Sequence, residues 1–230
     1  MRIGGLHRTS LIDFPGVLSA VVFCQGCTFR CPYCHNPDLV DPARFAVPLP
    51  WEEVRLFLVR RSRLLTGVVF SGGEPLLQDD LAEKIEEVKA LGFAVKLDTN
   101  GSMPARLAGL LEKGLLDAVA MDVKGSPERY AEIAAVPVDI QAIRESIRLI
   151  LNAPKVWHEF RTTVVKRFFT EEDILAVGAL VAGARRFALQ RFRPGGTLDP
   201  LIGADDVCSD EEMERYRAAL CGQVAECRIR

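Results

Sequence analysis

The chain has 230 residues, of which 49% are apolar and 26% charged, and its formal net charge is -2. That length suits one large domain with a substantial core, and the composition excludes the disordered and fibrous classes. The near-neutral balance excludes the basic footprint of a nucleic-acid binder, and no run of about 18 apolar residues is present to span a membrane as a helix.

The first ten residues lack the apolar core of a signal peptide, so a cytoplasmic protein is expected. In that compartment the seven cysteines are read as thiols or metal ligands rather than disulfides. Along the chain, short apolar runs alternate with amphipathic stretches. Strands are expected at residues 18–23, 67–71, 93–98, 116–123, 156–165 and 186–192. Helical spacing covers 51–64, 81–91, 104–113, 140–151, 170–183 and 210–220, with a polar, proline-containing loop before the first of these. Gly92 and Gly114 read as helix stops, and Thr170 as an N-cap with Asp173 in the first turn. Six strands alternating with helices predict parallel βα units joined by right-handed crossovers. Six is short of a closed eight-stranded barrel, so the expected fold is α/β: a partial, open barrel with helices outside. Ligands of such sheets collect at the C-terminal strand ends, and each motif below falls at one.

The first predicted strand runs into Cys24-Gln25-Gly26-Cys27-Thr28-Phe29-Arg30-Cys31-Pro32-Tyr33-Cys34-His35-Asn36. Soft thiolates at this density select iron–sulfur or zinc. A zinc ribbon separates its two cysteine pairs by a dozen residues or more, and here three intervene. Cys24, at the strand end, reads as a small buried thiol rather than a fourth ligand. The second strand ends in Ser71-Gly72-Gly73-Glu74-Pro75, the third in Asp98-Thr99-Asn100-Gly101 and the fourth in Met121-Asp122-Val123-Lys124. Arg161, inside an apolar strand, calls for an anionic partner: a bound carboxylate or a structural salt bridge.

The spacing of Cys27, Cys31 and Cys34 closely resembles the signature of the radical S-adenosylmethionine (SAM) superfamily. The resemblance implies that the three thiolates hold a [4Fe–4S] cluster and leave one iron for the amino and carboxylate groups of SAM. Reductive cleavage of the sulfonium would then give methionine and a 5′-deoxyadenosyl radical. By the same resemblance Gly72, Gly73 and Glu74 receive the methionyl ammonium, Tyr33 flanks the adenine and Lys124 pairs with the SAM carboxylate, which is also the bound carboxylate open to Arg161. Asp98, Asn100 and Asp122 would complete the cofactor site, and Asp98, Thr99 and Asp122 would hold a monovalent cation.

Three further segments narrow the resemblance: residues 3–16, the run from Gln25-Gly26-Cys27 to His35-Asn36-Pro37, and Asp98-Thr99-Asn100-Gly101. Together they look like the activating proteins of anaerobic ribonucleoside-triphosphate reductase. Such enzymes, like pyruvate formate-lyase activating enzyme, take a hydrogen from a glycine of a partner protein, and reduced flavodoxin or ferredoxin often supplies the electron. The resemblance covers residues 3 to about 195. It implies a radical SAM core with an N-terminal extension over 1–195 and a helical tail over 196–230. Two other readings stay open: a radical SAM enzyme acting on a small molecule, such as a 7-carboxy-7-deazaguanine synthase-like enzyme, and a non-catalytic iron–sulfur or zinc module. Cys208, Cys221 and Cys227 carry no paired C-x2-C motif and read as ordinary thiols. His7 and His158 receive no role.

Overall fold

A computed structural model describes residues 1–230. Eight strands form a single sheet in simple chain order: β1 (Ile3–Ser10), β2 (Ser19–Cys24), β3 (Gly67–Gly72), β4 (Ala94–Thr99), β5 (Ala118–Asp122), β6 (Trp157–Val164), β7 (Phe187–Arg191) and β8 (Cys227–Ile229). β1 runs antiparallel to β2, and every later pair is parallel. The helices are α1 (Pro37–Val40), α2 (Trp51–Arg61), α3 (Leu81–Ala90), α4 (Pro104–Glu112), α5 (Tyr130–Ala134), α6 (Ile140–Leu151), α7 (Glu171–Leu180) and α8 (Asp210–Ala219). No helix is long and apolar enough to cross a membrane.

The six expected strands are β2 to β7, with ends moved by one or two residues. β1 and β8 add an edge on each side, and they do not pair with each other, so the barrel stays open. Contacts cross the expected boundary near residue 195. β8 continues the sheet beside β7, and the Leu198 and Asp199 amides bond the cysteine loop, donating to Cys34 O at 3.0 Å and Pro32 O at 2.8 Å.

Local chemistry explains the helices that the sheet leans on. α6 buries Ile143, Ser146, Ile147 and Ile150, one stripe at helical spacing. α7 begins with a reciprocal capping box: Thr170 Oγ1 accepts from the Asp173 amide, and the Asp173 carboxylate accepts from the Thr170 amide.

The alternation of β6 shows how the lumen is built. Phe160 and Val164 point to the helix layer and belong to the main apolar core. Glu159, Arg161 and Thr163, on the other parity, line cavities inside the barrel. Near the N-terminal strand ends, Phe14 from the β1–β2 turn packs on Val21, Val69 and Ala118. Gly67 makes room for it, since a Cβ there would sit 3.0 Å from the Phe14 ring. Burying such a ring contributes roughly 2–3 kcal/mol.

His7 lies exposed on β1, whereas His158 is buried on β6 with neither ring nitrogen partnered. Burial lowers the pKa of His158 and keeps it neutral.

Candidate functional site

At the C-terminal strand ends lies a cavity of ≈ 250 Å³ lined by Cys27, Cys31 and Cys34 together with Tyr33, His35, Asn36, Gly72, Gly73, Asp98, Thr99, Asn100, Asp122, Lys124 and Arg161. Ser71, Thr163 and Gln190 also line it. The loop that carries the cysteines leaves β2 through Gly26, whose φ of 96° only glycine adopts without strain. Backbone bonds then clamp it. The Gly26 amide donates to Leu39 O at 2.7 Å, Glu74 N to Gly26 O at 2.8 Å, and Gly73 N to Cys24 O at 2.9 Å. Gly73 must be glycine, because a Cβ would lie 2.0 Å from Gly26 O. Arg30 turns back to donate to Cys27 O and Phe29 O at 2.8 and 2.9 Å. His35 Nε2 donates to Arg193 O at 2.7 Å and stacks on Phe192.

The donor set fits an iron–sulfur cluster. Burial pushes Cys27 up to about 11 and Cys31 up to about 12, so thiolates at these positions require a local positive charge such as a metal centre provides. No three His, Cys, Asp or Glu side chains converge closely enough to share one ion. Cys24 lies outside the cavity lining, fully buried at the end of β2 beside Gly72, with its thiol raised to about 12 by burial. Cys208 is buried elsewhere, Cys221 is exposed and Cys227 sits in β8.

The charged side of the cavity is an ion-pair chain. Arg161 Nε donates to Asp122 Oδ1 at 2.7 Å, and its Nη1 to Asp98 Oδ2 at 3.3 Å. Lys124 Nζ meets Asp122 at 3.2 Å, Lys96 pairs with Asp98, and Ser71 Oγ donates to Asp98 at 3.2 Å. Burial opposes the charge on Asp122, but Arg161 and Lys124 outweigh it and hold the carboxyl well below the usual range. Lys124 is likewise held protonated by Asp122 against the cost of burial.

Asp98 and Asp122, two of the three residues expected at a monovalent cation, pair with protein cations, and the third, Thr99, donates through Oγ1 to Glu74 Oε1 at 2.9 Å. For Arg161, the observed partner is the salt bridge.

Glu74 also differs from expectation. It is fully buried, does not line the cavity, and accepts from the Leu76 amide at 3.0 Å, the Asn100 amide at 2.7 Å and Thr99 Oγ1. It therefore ties the end of β3 to the end of β4. Burial outweighs those bonds and pushes its carboxyl up to about 7. Tyr33 lines the cavity with its hydroxyl buried and unpartnered, which suits a site built to receive a polar ligand.

Below this cavity lies a second one of ≈ 480 Å³, lined by Leu11, Ile12, Asp13, Pro15, Lys96, Glu159, Arg161, Gln190 and Arg230. Arg161 and Gln190 line both. Arg230 donates to both oxygens of the buried Glu159 at 2.8 and 2.7 Å. Sequence reasoning expected the strand end that begins at Gln190 to close over the adenine, but it gave no role to Ser71, Lys96 or Thr163 and missed this lower opening. The alternation Glu159, Arg161, Thr163 along one strand was the available signal.

The sequence model of the radical SAM superfamily matches residues 21–180. A Methanocaldococcus jannaschii protein named "putative glycyl-radical enzyme activating enzyme" is 35% identical over 201 residues, covering 86% of this chain and 82% of that protein. The pyruvate formate-lyase-activating enzyme of Clostridium pasteurianum is 38% identical over 128 residues, 54% of this chain and 52% of that one. The aligned part thus spans about half the length of the latter. Among solved structures, Streptococcus suis SuiB bound to its precursor peptide SuiA superposes with a TM-score of 0.69 at 13% identity, over 91% of this chain and 48% of SuiB. A domain of pyruvate-formate lyase-activating enzyme from Bacteroides vulgatus gives 0.56 at 19%, over 72% of this chain and 99% of the domain. At such identities these two likenesses speak for the fold alone.

Proposed function

We propose that this chain, which belongs to the radical SAM superfamily and within it to the glycyl-radical enzyme activating enzymes, installs a glycyl radical on a partner of the anaerobic ribonucleoside-triphosphate reductase type. When bound, a [4Fe–4S] cluster and SAM supply one-electron cleavage of the sulfonium and a carbon radical able to take a glycine hydrogen.

The chain's residues supply position and shielding. Cys27, Cys31 and Cys34 hold the cluster. Gly72 and Gly73 let the β3 end approach the methionyl group closely, and Lys124 offers the SAM carboxylate a protonated partner. Tyr33, with its free hydroxyl, flanks the nucleoside. Arg161, Asp98, Asp122 and Asn100 fix the polarity of the cavity floor. Thr99 and Glu74 act one step back, by holding Asn100.

The observation that carries the reading is the lower opening. Leu11 and Ile12 stand on its rim, 78% and 84% exposed, while Phe14 of the same turn is buried. Exposed aliphatic pairs at the mouth of a passage suit a protein loop rather than a small polar substrate. Arg161 and Gln190 stand between this opening and the cysteine-lined cavity and line both. The reductase assignment is supported by residues 3–16, Gln25-Gly26-Cys27 and His35-Asn36-Pro37.

The test mixes anaerobically reconstituted protein, SAM and reduced flavodoxin with an anaerobic reductase, a pyruvate formate-lyase, or neither. Electron paramagnetic resonance (EPR) should give a glycyl doublet with the reductase. A doublet only with the lyase moves the partner assignment, and none with either sinks the activase reading.

A further inference from the structure

Hydrogen bonding to the three thiols is uneven. The Phe29 amide lies 3.4 Å from Cys27 Sγ, and Asn100 Nδ2 lies 3.6 Å from the same sulfur. Neither Cys31 nor Cys34 has a comparable donor.

The Asn100 amide cannot turn away. Its Oδ1 accepts from the Ser102 backbone at 2.9 Å, so the NH2 group faces the other side. One proton reaches Thr28 Oγ1 at 2.9 Å, and the other points to Cys27. The Thr28 hydroxyl also shares a hydrogen bond with Ser102 Oγ at 2.8 Å. The backbone is pinned as well. Asn100 N donates to Glu74, and Ser146 Oγ donates to Gly101 O at 2.7 Å. Gly101, with φ of 76°, holds a backbone conformation that other residues adopt only with strain. Asn100 itself is 5% exposed.

We infer that Asn100 is a positioning residue that raises the cluster's reduction potential by acting through the Cys27 sulfur. The inference rests on Cys27, Cys31 and Cys34 being the cluster ligands. A reduced cluster carries one more negative charge, part of it on the thiolate sulfurs. N–H dipoles aimed at one sulfur stabilise that form more than the oxidised one, and burial strengthens the effect. The unevenness directs the added electron density toward the iron on Cys27.

The experiment compares wild type with Asn100→Leu, which keeps the volume and removes the donor, and with Thr28→Val, which leaves the donor in place. Iron content and the spectral response to SAM come first. A wild type without a SAM-responsive four-iron centre defeats the cluster reading itself. An EPR-monitored potentiometric titration without SAM then reads the midpoint. In Asn100→Leu the reduced-to-oxidised ratio at fixed potential should fall about tenfold, equivalent to about 59 mV for one electron, and Thr28→Val should move it much less. An unchanged midpoint with full iron overturns the inference. If Asn100→Leu does not load iron, wild type labelled with ¹⁵N at asparagine decides. Hyperfine spectroscopy of its reduced cluster should show ¹⁵N coupling, and its absence overturns the inference.

Discussion

The two ends of the barrel are built on opposite terms. At the C-terminal strand ends nearly every polar group has a partner: Glu74 with three donors, Asp122 with two cations, Asn100 with both faces of its amide engaged. At the N-terminal ends two aliphatic side chains stand in solvent beside a wide opening. Under the proposed function the difference separates two tasks. A radical site needs fixed groups around a reactive centre, whereas a docking rim needs surface that gains by being covered.

Four variants sharpen or break this contrast. The largest effect is expected for Cys31→Ser, at the rigid end. A hydroxyl does not replace a thiolate on iron, so the variant should lose essentially all cluster absorbance and all SAM cleavage while keeping its circular dichroism.

Next is the pH response of Glu74. Its folded pKa of about 7 lies above the ordinary 4.5, so the folded state binds this proton more tightly than the unfolded state. The resulting stabilisation is present below about pH 4.5 and is lost as pH rises through 7. It is on the order of 3 kcal/mol for so buried a group. Urea titrations should therefore show wild type declining relative to Glu74→Gln over that window, and a constant difference would contradict it.

Arg161→Met removes the guanidinium shared by Asp98 and Asp122. A fully buried pair broken in this way costs about 3–5 kcal/mol. Lys96 and Lys124 remain and the site is partly exposed, so about 2 kcal/mol is expected here, read from the shift in the urea midpoint.

The smallest effect belongs to the open end. Leu11→Ser with Ile12→Ser should leave stability within about 0.5 kcal/mol and SAM cleavage unchanged, yet weaken partner binding about tenfold, or about 1.4 kcal/mol. An equal loss of SAM cleavage would erase the division between the ends.

Much of the rigid end was legible in the sequence, because its ligands sit on one short loop and its other groups close consecutive strands. β1 was not, since Ile-Gly-Gly-Leu-His-Arg-Thr-Ser offers no apolar alternation and becomes a strand by pairing with β2. β8 is three residues long and exists only against β7, and α5 has five residues, too few for a periodic signal. Within the site, Glu74 was assigned to the cofactor because Gly72-Gly73-Glu74, one βα unit after the cysteine loop, resembles a motif of the superfamily. Its three donors come from residues up to 26 positions away, which only folding brings together. The same holds for Asp98 and Asp122. Their partners Lys96 and Arg161 lie on the lumen faces of β4 and β6, where sequence spacing does not place them.

The Leu198 and Asp199 amides that grip the cysteine loop have a consequence for ageing of the enzyme in air. The run 193–196 just before them is exposed, a natural place for a protease to nick. A molecule clipped there would retain its sheet and all seven sulfurs, but with that latch loosened the inorganic centre would bleach in oxygen sooner than in the intact chain.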